Sequence, residues 1–179
     1  QGQSAKILII GCSDSLVDPI ALTGASPGEL FIHRNISGLV PAFNDKQDNI
    51  HSTSAVLDYA VNALDVDDII VLGHGCCGGV LSLIKNNPNS QLKGYAESWL
   101  RIVKPAVDKI INKSKDLSLK EQRALCEQEA TKISLENLKT FPFIREKLKD
   151  KKINLHAWHF DRGRLSIFRN NIWNLVRDD

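Results

Sequence analysis

The chain has 179 residues, 42% of them hydrophobic and 25% charged, and a formal net charge of +2. This length accommodates one α/β domain with a sizeable core, and the near-balanced charge excludes a strong attraction to nucleic acid or anionic membrane. No apolar run reaches membrane-spanning length and no signal peptide is evident, so the four cysteines are expected to be reduced, cytoplasmic and available for metal or thiol chemistry.

Gln1-Gly2-Gln3-Ser4 leads almost directly into Ala5–Gly11, a continuously apolar, β-branched run that reads as a strand buried on both faces. Pro27-Gly28 marks a turn before a second strand over Glu29–His33, and Asn35–Gln47 reads as a loop. Ser52–Leu64 carries apolar residues at helical spacing, with Ser52 or Thr53 as the expected cap. Ile69–Leu72 is the third strand, and Gly73–Gly79 a tight turn into a helix through Leu81–Ile84. Trp99–Ile111, interrupted at Pro105, and Lys120–Leu138, behind a Ser118/Glu121 capping box, are helical by period. A short helix over Phe141–Leu148, late strands over Lys152–His159 and Arg164–Phe168, and a terminal helix over Asn170–Val176 complete the reading. The Lys and Arg residues between Lys104 and Lys152 are interleaved with Asp and Glu, as on a solvated helix face. No repeat or linker divides the chain. The expected fold is α/β: a mostly parallel four-stranded sheet flanked by helices, with a late edge strand, in one domain over residues 1–179.

Two strings bear chemistry. Cys12-Ser13-Asp14 follows the first strand, and His74-Gly75-Cys76-Cys77-Gly78-Gly79 follows the third. Ligands of open parallel sheets collect at the carboxyl ends of strands. Two thiolates and an imidazole meeting there form a three-ligand zinc site with a fourth position open, the pattern of a catalytic metal. Spacing alone also fits cysteines packed as small hydrophobes. Gly73-His-Gly75-Cys-Cys-Gly78 matches a dinucleotide-binding fingerprint literally, and Glu97 lies near the distance of its acidic residue, but Asn86–Ser90 and Gly94 occupy the space where that unit's next strand should form. A thiol enzyme using His74 would leave the neighbouring cysteines without purpose. His33, His51, His156 and His159 titrate as a class near neutrality, yet nothing in the pattern gives any of them a relay role, and none emerges for Cys76 or Cys126.

Taken together, these residues resemble a β-class carbonic anhydrase. The likeness runs through Gly2-Gln3-Ser4, Cys12-Ser13-Asp14-Ser15, Pro27–Phe31 with Arg34-Asn35, Asp58–Val61, and Gly73-His74 with Cys77–Gly79. Cys126–Ala130, Ser134–Arg145 and His156–Asp161 are similar to the plant-like branch. The resemblance implies reversible hydration of CO2 to bicarbonate and a proton, with Zn2+ held by Cys12, His74 and Cys77. It further implies Asp14 and Gln3 as catalytic residues, with Gln3 reaching substrate from an opposite subunit, and Phe31, Ile36, Tyr59 and Gly78 as pocket. A homodimer or homotetramer is implied, without the family's N-terminal helical arm.

One position departs from the pattern. The family pairs the aspartate of C-x-D-x-R with the arginine two residues on, and here that place is Leu16. An arginine would clasp Asp14 through two charge-assisted hydrogen bonds and keep it off the metal. Without it, Asp14 is free to take zinc's fourth position or to lose its orientation, so the expectation is activity weakened or shifted to high pH. A catalytically silent zinc- or bicarbonate-binding paralogue, or a COS/CS2 hydrolase, is the alternative. Arg34 is a candidate substitute for the missing cation. Ile9 stands where one branch carries a tryptophan used in bicarbonate inhibition, so that regulation is not expected.

Overall fold

The computed structural model describes residues 3–45, 51–84 and 92–176. Gln1-Gly2, the end of the Asn35–Gln47 loop and the Asn86–Ser90 stretch lie outside them. The elements run β1 (Ile7–Cys12), α1 (Pro19–Thr23), β2 (Leu30–Asn35), a 3-10 turn (Ile36–Gly38), α2 (Ser52–Asp58), a π-helical turn (Tyr59–Ala63), β3 (Asp68–His74) and α3 (Gly78–Ile84). They continue with α4 (Tyr95–Leu100), α5 (Lys104–Lys113), α6 (Leu119–Leu138), α7 (Pro142–Lys149), β4 (Asn154–Asp161), β5 (Arg164–Arg169) and β6 (Ile172–Leu175).

Among the described residues six strands form one sheet in the order β2-β1-β3-β4-β5-β6. The first four pair in parallel and the last two antiparallel. The expected parallel four is present, and the late edge is a pair of strands. Alternation along β1 and β3 sorts the core into two layers. Ile9, Ile70 and Leu72 pack with Val80, Val107, Cys126 and Ala130 on one face. Leu8, Ile10, Ile69 and Val71 pack with Leu57, Val61, Leu138, Phe141 and Ile144 on the other. Each such aliphatic side chain contributes about 1.5–3 kcal/mol by leaving water. That two-sided burial is why these strands read as unbroken apolar runs.

Three expectations need correction. The terminal helix over Asn170–Val176 is strand β6, because Asn170 (φ 52°) and Asn171 (φ 64°) form a two-residue turn of left-handed backbone. Asparagine tolerates that conformation, and consecutive positive φ angles match the twist of a hairpin. Arg162 (φ 49°) and Gly163 (φ 79°) make the same kind of turn between β4 and β5. The Ser52–Leu64 helix changes to π geometry at Tyr59, and its cap is the His51 side chain, which accepts from Ser54 N–H. Thr53 is instead buried, with its hydroxyl 3.0 Å from His33 Nε2. The Trp99–Ile111 helix is two helices, and Pro105 stands in the first turn of α5, where its missing N–H removes no helical bond. The Ser118–Glu121 capping box is formed as read.

Strand order decides where a ligand can sit. From β1 the chain goes to β2 on one side and to β3 on the other, so the crevice at their carboxyl ends is a topological switch point. Register places Gly11 opposite Leu72, so Cys12 and His74 finish adjacent strands.

Candidate metal centre

Cys12 closes β1, His74 closes β3, and Cys77 returns from the turn just before α3. One ligand atom from each lies within 4.8 Å of the other two, and all three residues are buried. His74 Nδ1–H donates to the Gly75 carbonyl at 2.9 Å, which fixes the tautomer and leaves Nε2 as the bare nitrogen. That Nε2 is buried without a hydrogen-bond partner. A solvent-shielded lone pair beside two sulfurs is costly in an empty protein and satisfied by a cation. The donor set of two soft sulfurs and one imidazole fits zinc.

The charges are arranged for this. The hydrogen bond with Cys77 and burial push the Cys12 thiol far up, while the same hydrogen bond from Cys12 holds Cys77 well below the ordinary thiol range against its own burial. Burial works to lower His74, but the Cys77 contact and charge outweigh it, and Asp14 adds to the rise.

Ser37 bridges the sulfurs. Its N–H donates to Cys12 Sγ at 3.2 Å and its Oγ lies 3.4 Å from Cys77 Sγ. It holds this position with φ 64°, left-handed for a non-glycine residue. Behind it a Cβ on Gly79 would fall 2.2 Å from Ser37 Oγ, so α3 seats against the 3-10 turn only without a side chain there.

Asp14 is half-buried beside the centre, and its N–H donates to Cys12 Sγ at 3.4 Å. Its Oδ1 accepts the Leu16 N–H at 2.9 Å, so residue 16 holds the carboxylate by backbone while the leucine side chain is 60% exposed. Arg34 does not replace the missing guanidinium. Its Nε and Nη2 donate to the backbone carbonyls of Cys12, Asp14 and Val17 at 2.7–2.8 Å, and Nη1 pairs with Asp18 at 3.3 Å. It buttresses the loop rather than the Asp14 side chain.

The pocket residues divide. Ile36 lines a largely apolar cavity of about 850 Å³ with Ser13, Asn35, Thr53 and Trp99, next in sequence to Cys12 at Ser13. Gly78 is exposed, with open space where a side chain would be. Phe31 packs with the opposite core layer, its ring 5.8 Å from that of Tyr59, and lies opposite Leu8, four residues before the end of β1. Gln3 precedes β1 at the far end of the sheet, in the wall of another cavity. Within one chain neither the Phe31–Tyr59 pair nor Gln3 joins the three ligands.

Sequence reasoning missed Ser37 and Glu127. Glu127, 4% exposed on α6, accepts the Cys77 N–H at 2.9 Å across fifty residues of chain. Of the other histidines, His156 meets Asp68 at 2.8 Å, and buried His159 stands 3.8 Å from Glu127, beyond hydrogen-bond reach. Burial, with Glu127 and Glu129 beside it, pushes the Cys126 thiol up to about 11, in keeping with a packed small hydrophobe.

A family model described as carbonic anhydrase matches residues 7–165. The chain is 37% identical over 164 residues to Beta carbonic anhydrase 3 of Arabidopsis thaliana, covering 90% of this chain but only 62% of that protein. Among solved structures, the β-carbonic anhydrase CcaA superposes with a TM-score of 0.88 at 28% identity, over 99% of this chain and 79% of that one. A structure from the work on two tetrameric β-carbonic anhydrases of Sordaria macrospora gives 0.78 at 28% identity, over 93% and 82%.

Proposed function

Since this chain belongs to the carbonic anhydrase family, we propose that it hydrates CO2 reversibly to bicarbonate and a proton at zinc held by Cys12 Sγ, His74 Nε2 and Cys77 Sγ. The observation that carries the reading is the buried triad with its unpartnered imidazole nitrogen. Zinc bound there supplies Lewis acidity that makes water a nucleophile near neutral pH.

The protein's own residues do the rest. His74 is pre-oriented by the Gly75 carbonyl, and Ser37 spaces the two sulfurs. The apolar wall at Ile36 and Trp99 suits a small, uncharged substrate. Asp14 accepts a hydrogen bond from the attacking water through the oxygen that the Leu16 N–H leaves free. A second copy supplies Gln3, Phe31 and Tyr59, which their own chain keeps apart from its triad, in a homodimer or a larger assembly. The tetrameric fungal relatives are in keeping with this. A reducing, cytoplasmic setting keeps Cys12 and Cys77 free, as they are in the structure.

Leu16 favours a second reading, a slow or silent zinc protein, because the Asp14 carboxylate has a backbone amide where a guanidinium clasp would hold it more firmly. Stopped-flow CO2 hydration across about pH 6–9, spanning the usual ionisation of water on zinc, decides between them. Turnover that is abolished by a chelator and restored by zinc supports the enzyme. Stoichiometric zinc with no turnover at any pH supports the silent protein, and sulfide release from COS would redirect the substrate assignment.

A further inference from the structure

Glu127 is a carboxylate in a place where carboxylates are costly. It is 4% exposed and comes from the middle of α6. Oε1 accepts the Cys77 N–H at 2.9 Å, and Arg123 Nε lies 3.4 Å from the same oxygen. Oε2 lies 3.8 Å from His159 Nε2. Neither Arg123 Nε nor His159 Nε2 has a hydrogen-bond partner of its own, so both nitrogens look to this one carboxylate. Arg123 is further tied to the ligand turn through Nη2, 3.2 Å from Cys76 Sγ.

An acceptor for one backbone amide can be neutral; a glutamine or a carbonyl would serve. A buried anion for that task needs a further reason. Here the charge lies against the turn that carries the Cys77 ligand, with a guanidinium on its outer side. A negative carboxylate there favours a dication in the triad, and the guanidinium moderates it. Groups that orient a metal ligand from behind commonly change metal affinity by about 10–100-fold.

We propose that Glu127 is a positioning residue of the metal centre, setting by its hydrogen bond to Cys77 and its charge, in balance with Arg123, how firmly the triad retains zinc. The inference rests on reading Cys12, His74 and Cys77 as a metal centre. Its sign is testable, because Glu127 and Arg123 touch each other and the same turn but carry opposite charge. Removing the anion weakens zinc binding, whereas removing the cation strengthens it. A residue needed only for packing would weaken binding in both cases.

The test is zinc affinity of the full chain by competition with a chromophoric chelator, for the parent, Glu127→Gln and Arg123→Met, with circular dichroism to check folding. Glu127→Gln keeps an acceptor for the Cys77 amide and loses only the charge, so it is expected to bind zinc about tenfold more weakly. Arg123→Met is expected to bind more tightly than the parent. Parent-like affinity in Glu127→Gln, or weakening in both variants, overturns the proposal and leaves the metal centre standing. Should Glu127→Gln not fold, Arg123→Met alone decides by its sign. A parent chain that takes up no zinc overturns the metal centre itself, and this proposal with it.

Discussion

Cys12 ends β1 in a loop open to solvent at Ser13, Ser15 and Leu16, whereas Cys77 ends a turn that is buried at Gly75 and at the cysteine itself. A cation secures the first: Arg34 gathers three backbone carbonyls of residues 12–17 and leaves the Asp14 and Ser37 amides free to point at Cys12 Sγ. An anion secures the second: Glu127 takes the Cys77 amide for itself. The Asp14 and Ser37 amides favour a thiolate on Cys12, against the Cys77 hydrogen bond and burial, which push that thiol up. The difference teaches that charged side chains place these ligands by binding backbone, a cation through carbonyls and an anion through an amide.

Deleting a sulfur tests whether the unlike halves are equally needed. Cys12→Ala and Cys77→Ala are each expected to reduce zinc affinity by about a thousandfold, roughly 4 kcal/mol, in the chelator competition. A tolerated loss on either side would mean that one half suffices. Arg34→Gln strikes the carbonyl-binding side alone. It should lower unfolding stability by about 2 kcal/mol, because it abandons charge-assisted bonds to carbonyls that are then left partly unmet. Urea denaturation measures this, and parent-like stability would show that the loop is held by its own turns.

Leu16→Arg sharpens the comparison by adding a second cation to the open loop. It is expected to raise CO2 hydration near neutral pH by about fivefold, equivalent to ~1 kcal/mol of barrier, by clasping the Asp14 carboxylate. No gain in stopped-flow rate would count against the account of Leu16.

The smallest effect belongs to an ion pair outside both loops. The Lys147 hydrogen bond and charge hold Asp65 below its ordinary value of 3.8. A carboxylate lowered in this way adds stability above that value and loses it as pH falls through the depressed one. The stability gap between the parent and Asp65→Asn should therefore be small and flat from neutral pH to 3.8, then close in more acidic solution. High salt should shrink it throughout, since the pair is exposed.

The triad was legible because its residue types are few and each stands just beyond an unmistakable apolar strand. Strands β1 and β3 were legible for the same reason, two-sided burial leaving an almost unbroken apolar run in each. Arg34 was legible as a cation but not by its partners, since a backbone carbonyl leaves no mark in sequence. Glu127 was hidden by fifty residues of separation, and by a helix in which acidic side chains are otherwise at the surface. Strand β6 was misread because Asn170-Asn171 looked like the start of a helix rather than a hairpin turn. Its two left-handed residues declare themselves only once β5 is in place to pair.

The fit of α3 against the 3-10 turn makes position 79 sensitive to substitution. With only a hydrogen between Gly79 and Ser37 Oγ, the helix that follows Cys77 packs directly on the turn that touches both sulfurs. A side chain at position 79 would have to push Ser37 off its place between the sulfurs before the helix could seat. Position 79 thus reaches the metal centre through a serine, without touching a ligand itself.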